Sequence, residues 1–514
     1  MASLNWSTTL SAALLFLAKL ASCTAPPIPP HIPIPPHIER DLGPLLSPGA
    51  RIILPTSPDF PRVASRWTDV DRPAYGVVIA VETEDDVAQA VRYANVHNLP
   101  FLATSSGHSS WRRLAEFQGG MAIWLRNLTR FEIQPDGESV VLGGGVRSID
   151  VITQLWPAGK QTTSGSCECV SIAGPALGGG HGMLQGQYGL LTDQILSARV
   201  VLASGEVVTV DADGEHADLF WALRGAGHNF GIVTEFRYRI YDVVKPDWSY
   251  EFFTFSGSVL EELYTLFNQL MERQPRETIV WSTWMRDPKV DPVNPTINIM
   301  IFHNGPTEEL SEFTKPINAL KPVGTRMGVT PYSKLLTVAG FDIGSSVCHK
   351  MPGTSLVPID VPNYNVPAIQ DWYDKFSEGL EAEPSLAASF TMLEGYSTQA
   401  VQAIPEESTA FPHRGQKLLL ASLIINPIVG NDTLDMIAAK WAEDMRSASS
   451  GGTEKRHTYL NYATGTETAE ELYGYEPWRL ERLRGLKEKY DPKGKFSWYG
   501  NLVQKEPARE VDEL

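Results

Sequence analysis

Four loops between residues 103 and 236 carry the residue types that could do chemistry. They are Ser105-Ser106-Gly107-His108-Ser109-Ser110, Gly165-Ser166-Cys167-Glu168-Cys169, Gly174 with Gly178-Gly179-Gly180-His181-Gly182, and Asn229-Phe230-Gly231-Ile232-Val233. Glycine removes the Cβ and permits positive φ, so such loops bring backbone N–H groups close to something bulky and anionic. A dinucleotide pyrophosphate fits that description. No cluster reads G-x-G-x-x-G between a strand and a helix, which excludes the ordinary Rossmann fingerprint. Cys167-x-Cys169 has no further Cys or His cluster at metal-ligand spacing, so no metal site is expected. The two thiols are also too close in sequence to pair without strain. Gly-x-Ser-x-Gly does not occur, and the histidines and acids show no triad spacing, which argues against a hydrolase.

The elements around these loops set the fold class. Residues 76–81 read as a β-branched strand. Thr83-Glu84-Asp85-Asp86 is a capping-box-like start, and Val87, Val91 and Ala94 continue one helix face. Residues 101–104 are the next strand and deliver His108 into a loop. Residues 121–125, 130–134 and 139–142 read as strands, the last two joined by the turn Pro135-Asp136-Gly137. A hairpin over 195–201 and 206–210 and a strand over 230–240 close this part. From Trp248 the pattern changes. Strands are expected over 251–255, 278–285, 296–303, 388–394 and 417–426, with helices over 259–273, 369–380 and 433–445. Several strands of one sheet with helices on one side is the natural reading.

Together these blocks resemble the berberine-bridge-enzyme-like group of the vanillyl-alcohol-oxidase (PCMH-type) FAD-binding superfamily, fungal type. The matching residues are Ser106-Gly107-His108-Ser109, Gly165-x-Cys167, Gly174 to Gly182, Tyr188-Gly189-Leu190-x-x-Asp193, the block from Asp218 to Thr234, and Tyr459-x-Asn461-Tyr462. The resemblance implies an α+β fold. A two-part FAD-binding domain is expected over 47–243 and a substrate domain with an antiparallel sheet covered by helices over 244–455. A C-terminal segment, 456–503, returns to the FAD domain before a tail at 504–514.

The resemblance also implies roles. His108 would carry FAD on the methyl carbon of its benzenoid ring. Cys167 aligns with a cysteine that some relatives attach to the same ring. Here the usual Pro-Thr-Val-Gly continuation is Glu168-Cys169-Val170-Ser171, and the second link stays open. Ser105, Ser106, Gly107, Ser109, Ser110, Gly165, Ser166, Gly174, Gly178, Gly179, Gly180, Gly182, Asp193, Asn229, Gly231, Ile232, Val233 and Asn461 are the further expected cofactor contacts. Ile172 matches a position over the flavin, near where oxygen reacts. Flavin oxidations need a base whose pKa is moved toward working pH. Tyr188, Tyr459 and Glu394 are the candidates, with His413, Arg414 and Lys417 as cations that could favour a tyrosinate.

The implied activity is oxidation of an alcohol, amine or related C–H centre of a small molecule by hydride transfer to covalently held FAD. Oxygen or another acceptor completes the cycle. A tailoring role in secondary metabolism is the first reading. The alternatives are an oligosaccharide oxidase, or a secreted flavin-binding protein with vestigial catalysis.

The chain of 514 residues carries a net charge of −17, which argues against nucleic-acid and anionic-membrane partners. Residues 1–23 read as a secretory signal peptide, and residues 24–46 include a Pro-rich linker. Secretion gives meaning to the glycosylation sequons at Asn127 and Asn431. It would leave Cys167, Cys169 and Cys348, an odd number, so at least one is unpaired or otherwise bonded.

Overall fold

The computed structural model describes Pro35, residues 37–351, residues 353–500 and Leu502. The expected signal peptide, most of the linker and the tail lie outside the described residues. Among the described residues, no helix is long and apolar enough to cross a membrane.

Two small sheets precede one large sheet. Strands β1 (Arg51–Ile53), β2 (Ala74–Ala80), β3 (Phe101–Thr104) and β4 (Gln118–Trp124) form a four-stranded sheet in the order β1-β2-β4-β3. Strands β2, β4 and β3 run parallel there. Helix Glu84–Val96 provides the crossover between β2 and β3. Its N-terminus is fixed by a capping box in which Thr83 and Asp86 satisfy each other's backbone N–H groups. Strands β5 (Phe131–Ile133), β6 (Ser139–Gly143), β8 (Ile195–Val201), β9 (Val207–Asp211) and β10 (Ile232–Arg239) form an antiparallel sheet in the order β5-β6-β10-β8-β9. A short ribbon pairs β7 (Lys160–Gln161) with β11 (Tyr241–Asp242).

The large sheet has seven antiparallel strands in the order β15-β12-β14-β13-β17-β18-β16. They are β12 (Asp247–Ser256), β13 (Thr278–Met285), β14 (Thr296–His303), β15 (Gly324–Pro331), β16 (Gly353–Val361), β17 (Phe390–Tyr396) and β18 (Leu418–Asn426). Paired residues of an antiparallel sheet share a face, and neighbours in sequence take opposite faces. One face therefore presents Ile359, Leu420, Leu393, Val280 and Ile301. It packs into a core with helices Leu260–Met271, Val366–Ala382 and Asp432–Ser450. The other face presents the cross-strand row Asp360, Leu419, Glu394, Trp281, Met300 and Phe252. This face looks toward the small sheets.

The chain then returns. Helix Pro477–Tyr490 buries Leu480, Leu483, Leu486 and Tyr490 in the core that contains Phe220, Leu223 and Phe236. Lys489 and Tyr490 both donate to Asp218.

Candidate active site

Between the large sheet and the small sheets lies a cavity of about 350 Å³. Its first wall is loop backbone. It contains Ser105, Ser106, Gly107, His108 and Ser109 after β3, then Gly165, Ser166, Cys167 and Gly174, and Gly231, Ile232 and Val233 at the start of β10. Gly107 has φ +69°, a left-handed turn that aims the next residue, His108, across the loop. An added Cβ at Gly174 would meet only Ser171 Oγ, at 3.9 Å, so this glycine keeps room open.

The opposite wall is made of side chains. On β17, Phe390, Met392, Glu394 and Tyr396 line the cavity with the strand period of two. Trp281 and Met300 extend that surface, and Tyr459, Asn461 and Tyr462 complete it from the returning segment.

His108 stacks on Trp67, with ring centroids 5.6 Å apart. Burial, assisted by the nearby Arg66, pushes its pKa down to about 4, so the imidazole is neutral and nucleophilic at neutral pH. The Arg66 guanidinium is buried. It donates to Ser109 O at 2.8 Å and to Tyr75 OH at 3.4 Å. No ion pair to a carboxylate holds it among the described residues, so it offers a positive charge to an anionic ligand. Cys167 is half-buried, and desolvation pushes its thiol up to about 12.

Glu394 is buried and is the sole carboxylate on the wall among the described residues. Tyr396 OH donates to Oε2 at 2.7 Å and Tyr462 OH to Oε1 at 2.8 Å. Ser166 Oγ lies 2.9 Å from Tyr396 OH, which ties the group to the opposite wall. Burial raises the pKa of Glu394 even though both phenols favour its charged form. A second buried carboxyl, Asp360, stands two strands away across Leu419 on the same face. Burial first, and the charge of Glu394 second, hold Asp360 well above the ordinary carboxylate range. Its Oδ2 has no partner.

Tyr459 accepts from Asn461 Nδ2 at 2.6 Å and from His181 N at 3.3 Å. Burial nevertheless raises its pKa above the ordinary 10, so it stands as a protonated phenol. Two of the groups expected to favour a tyrosinate as cations are not free to do so. Arg414 Nη2 pairs with Asp193 Oδ1 at 2.7 Å in a fully buried ion pair, and burial pushes His413 down to about 3.

Several expected contacts lie off the main wall. Tyr188 stacks on Tyr241 at 3.9 Å and takes a hydrogen bond from Gln161. Asp193 accepts from Leu190 N besides Arg414, and so holds the turn after Tyr188. Asn229 is fully buried; its amide donates to Tyr473 OH at 2.8 Å. Gly178, Gly179, Gly180 and Gly182 serve packing: an added Cβ would collide with Asn461, Phe411, Leu191 and Ser164 respectively. Ser110 and His413 are likewise off the main wall, and Ile172 is packed in the core beside it. Of the sequon asparagines, Asn127 Nδ2 donates to Glu82, and Asn431 Oδ1 caps helix Asp432–Ser450.

Other wall residues escaped the sequence reading. His228 lines the cavity beside Asn461 and Gly174. Tyr396 carried a usable signal, since it lies two residues from Glu394 on one strand. The disulfide Cys169–Cys348 carried none, because 179 residues separate its ends. It fastens the segment 341–351 beside His108, leaving Cys167 free.

Comparison with known proteins gives one consistent picture. Residues 75–211 match the family model of an FAD binding domain. A FAD-linked oxidoreductase of Penicillium rubens (chyH) is 40% identical over 470 residues, covering 90% of this chain and 93% of that protein. One from Gibberella zeae (chry5) is 38% identical over 476 residues, covering 89% and 93%. Among solved structures, the Physcomitrella patens BBE-like 1 protein matches with TM-score 0.78 at 22% identity, covering 91% of this chain and 99% of that one. The glucooligosaccharide oxidase of Acremonium strictum, described with a 6-S-cysteinyl, 8α-N1-histidyl FAD, matches with TM-score 0.75 at 22% identity, covering 88% and 96%.

Proposed function

Because the chain belongs to the FAD-linked oxidoreductases and shares its fold with a BBE-like protein, we propose that it oxidises an alcohol, amine or related C–H centre of a small molecule at the cavity between its sheets. The FAD would be linked covalently through His108. Bound there, FAD supplies the acceptor for a hydride leaving the substrate carbon. The chain's residues do the rest. The backbone of the loops after β3 and before β10 would follow the dinucleotide. The buried Arg66 offsets anionic charge, and the neutral His108 imidazole is in the form that can make the bond.

The observation that carries the reading is Glu394, a lone wall carboxylate held by two phenols, with burial raising its pKa toward working pH. In its ionised form it accepts the proton of the substrate hydroxyl or amine. Tyr396 and Tyr462 hold the carboxylate in place, and Ser166 ties Tyr396 to the loop wall. Oxygen or another acceptor would then regenerate the cofactor. We read the product as a specialised metabolite. We read the compartment as the secretory pathway, which the disulfide Cys169–Cys348 supports.

Acid precipitation followed by peptide mapping tests the link. Yellow colour kept in the pellet on the His108 peptide is the expected result, and the His108→Ala variant should release it. Flavin mass on the Cys167 peptide as well would add the second bond. Colour in the supernatant of the wild type would remove the His108 assignment.

A further inference from the structure

The large-sheet wall constrains what can bind beside the flavin, and this inference rests on reading the cavity as a flavin site. Phe390, Met392, Trp281, Met300, Leu356 and Leu423 give that wall an apolar, aromatic surface. Its polar groups are few: Glu394 with Tyr396 and Tyr462, which already bond to one another, Tyr459 with Asn461, which do the same, and the Trp281 indole N–H, which has no partner. Ser282 Oγ is taken by Tyr264 OH at 2.6 Å. Thr283 and the unpartnered Trp281 N–H are the remaining polar groups that the large sheet brings to the cavity.

The end beside His108 is crossed by the segment 341–351. Phe341 O accepts from Glu168 N at 3.1 Å, and Ile343 N donates to Glu168 Oε2 at 2.8 Å. Val347 O accepts from Trp67 Nε1 at 2.9 Å, and Met351 N donates to Trp67 O at 2.8 Å. The disulfide Cys169–Cys348 adds a covalent tie. A chain of sugar rings has hydroxyls on every ring and extends beyond the reacting one. On this wall the Trp281 N–H and Thr283 could meet one or two of those hydroxyls, and the rest would lose water without gaining partners, while the fastened segment bars extension past His108.

We infer that the substrate is a compact aromatic or conjugated molecule without anionic groups, presenting one hydroxyl or amine to the Glu394–Tyr396–Tyr462 group, and not a saccharide. Flat rings match Trp281 and Phe390 by stacking and area burial. The Glu394–Tyr396–Tyr462 group reads the one group that reacts, and an anionic substituent would have to be buried beside its carboxylate.

The test uses the purified holoenzyme under anaerobic conditions. Changes of the flavin absorbance band, a shift on binding or bleaching on reduction, are titrated with benzyl alcohol, cinnamyl alcohol and 2-naphthalenemethanol, with 4-(hydroxymethyl)benzoate as the anionic counterpart, and with cellobiose and xylobiose. Half-saturation by the best aryl alcohol is expected at a concentration at least about tenfold below that of either sugar or of the benzoate. Quenching of tryptophan fluorescence reads the same panel without relying on the flavin, and the quenching should shrink in Trp281→Phe. A sugar that saturates at or below the aryl alcohols overturns the inference. So does a panel in which no aryl alcohol moves either signal, or in which the benzoate binds as tightly as the neutral alcohols. Absence of flavin from the purified protein would instead overturn the flavin reading, and the quenching panel would still decide the substrate class.

Discussion

The two walls of the cavity are made of different material. One is backbone: loops rich in glycine and serine, strung between the strands of two small sheets, with His108 and Cys167 set into them. The other is side chain: alternate residues of β17 with neighbours from β13 and β14, a surface in which Glu394 is the one acid among the described residues. A backbone wall can grip a large common ligand without caring much about side-chain identity. A side-chain wall can change its selectivity by one substitution. In the proposed reading, where the loop wall takes the cofactor and the side-chain wall the substrate, the contrast makes the two recognitions separable, joined by the contact of Ser166 with Tyr396.

That separation can be broken from either side. Glu394→Gln should leave the covalent flavin spectrum intact and lower the rate of flavin reduction by about 10²–10⁴. It should also abolish the acid limb of the pH profile. In the wild type that limb should lie above the ordinary carboxylate range, with activity rising as pH rises, because the raised pKa keeps Glu394 protonated to a higher pH. Anaerobic stopped-flow across pH checks both.

On the loop side, Asp193→Asn leaves the buried Arg414 without its counter-charge. A loss of about 3–5 kcal/mol is expected, read by denaturant unfolding. Cys348→Ser frees the segment 341–351. A smaller loss, about 2–4 kcal/mol, is expected, together with faster proteolysis in that segment. The smallest effect sharpens the comparison most. Tyr462→Phe removes one donor to the Glu394 carboxylate, worth about 1.5–3 kcal/mol for a hydrogen bond to a charged group. The acid limb should move to higher pH, and the flavin linkage should stay unchanged.

The legibility of the sequence followed the same division. The central strands of the large sheet were readable as apolar runs, and residues 278–285 and 296–303 match β13 and β14 end to end. The two strands passed over, β15 and β16, are the two edges of that sheet. β15 alternates with an exposed face, and β16 holds Pro358, so neither reads as an apolar run. Helix Thr307–Ala319, which contains Pro316, was missed for a similar reason.

By itself the sequence determined the order of the elements, the glycine-serine loops, the position of His108 in one of them, and an odd cysteine. These are local properties of residue type and spacing. Only the tertiary structure decided which glycines face the cavity and which let two chain segments touch, since Gly174 and Gly178 are alike as letters. It also decided that Cys169 pairs with Cys348, that Arg414 neutralises Asp193 and is not free to act on a tyrosine, and that Asp360 and Glu394 share one face across Leu419. Each of these depends on register and packing between residues far apart in the chain, which no local spacing records.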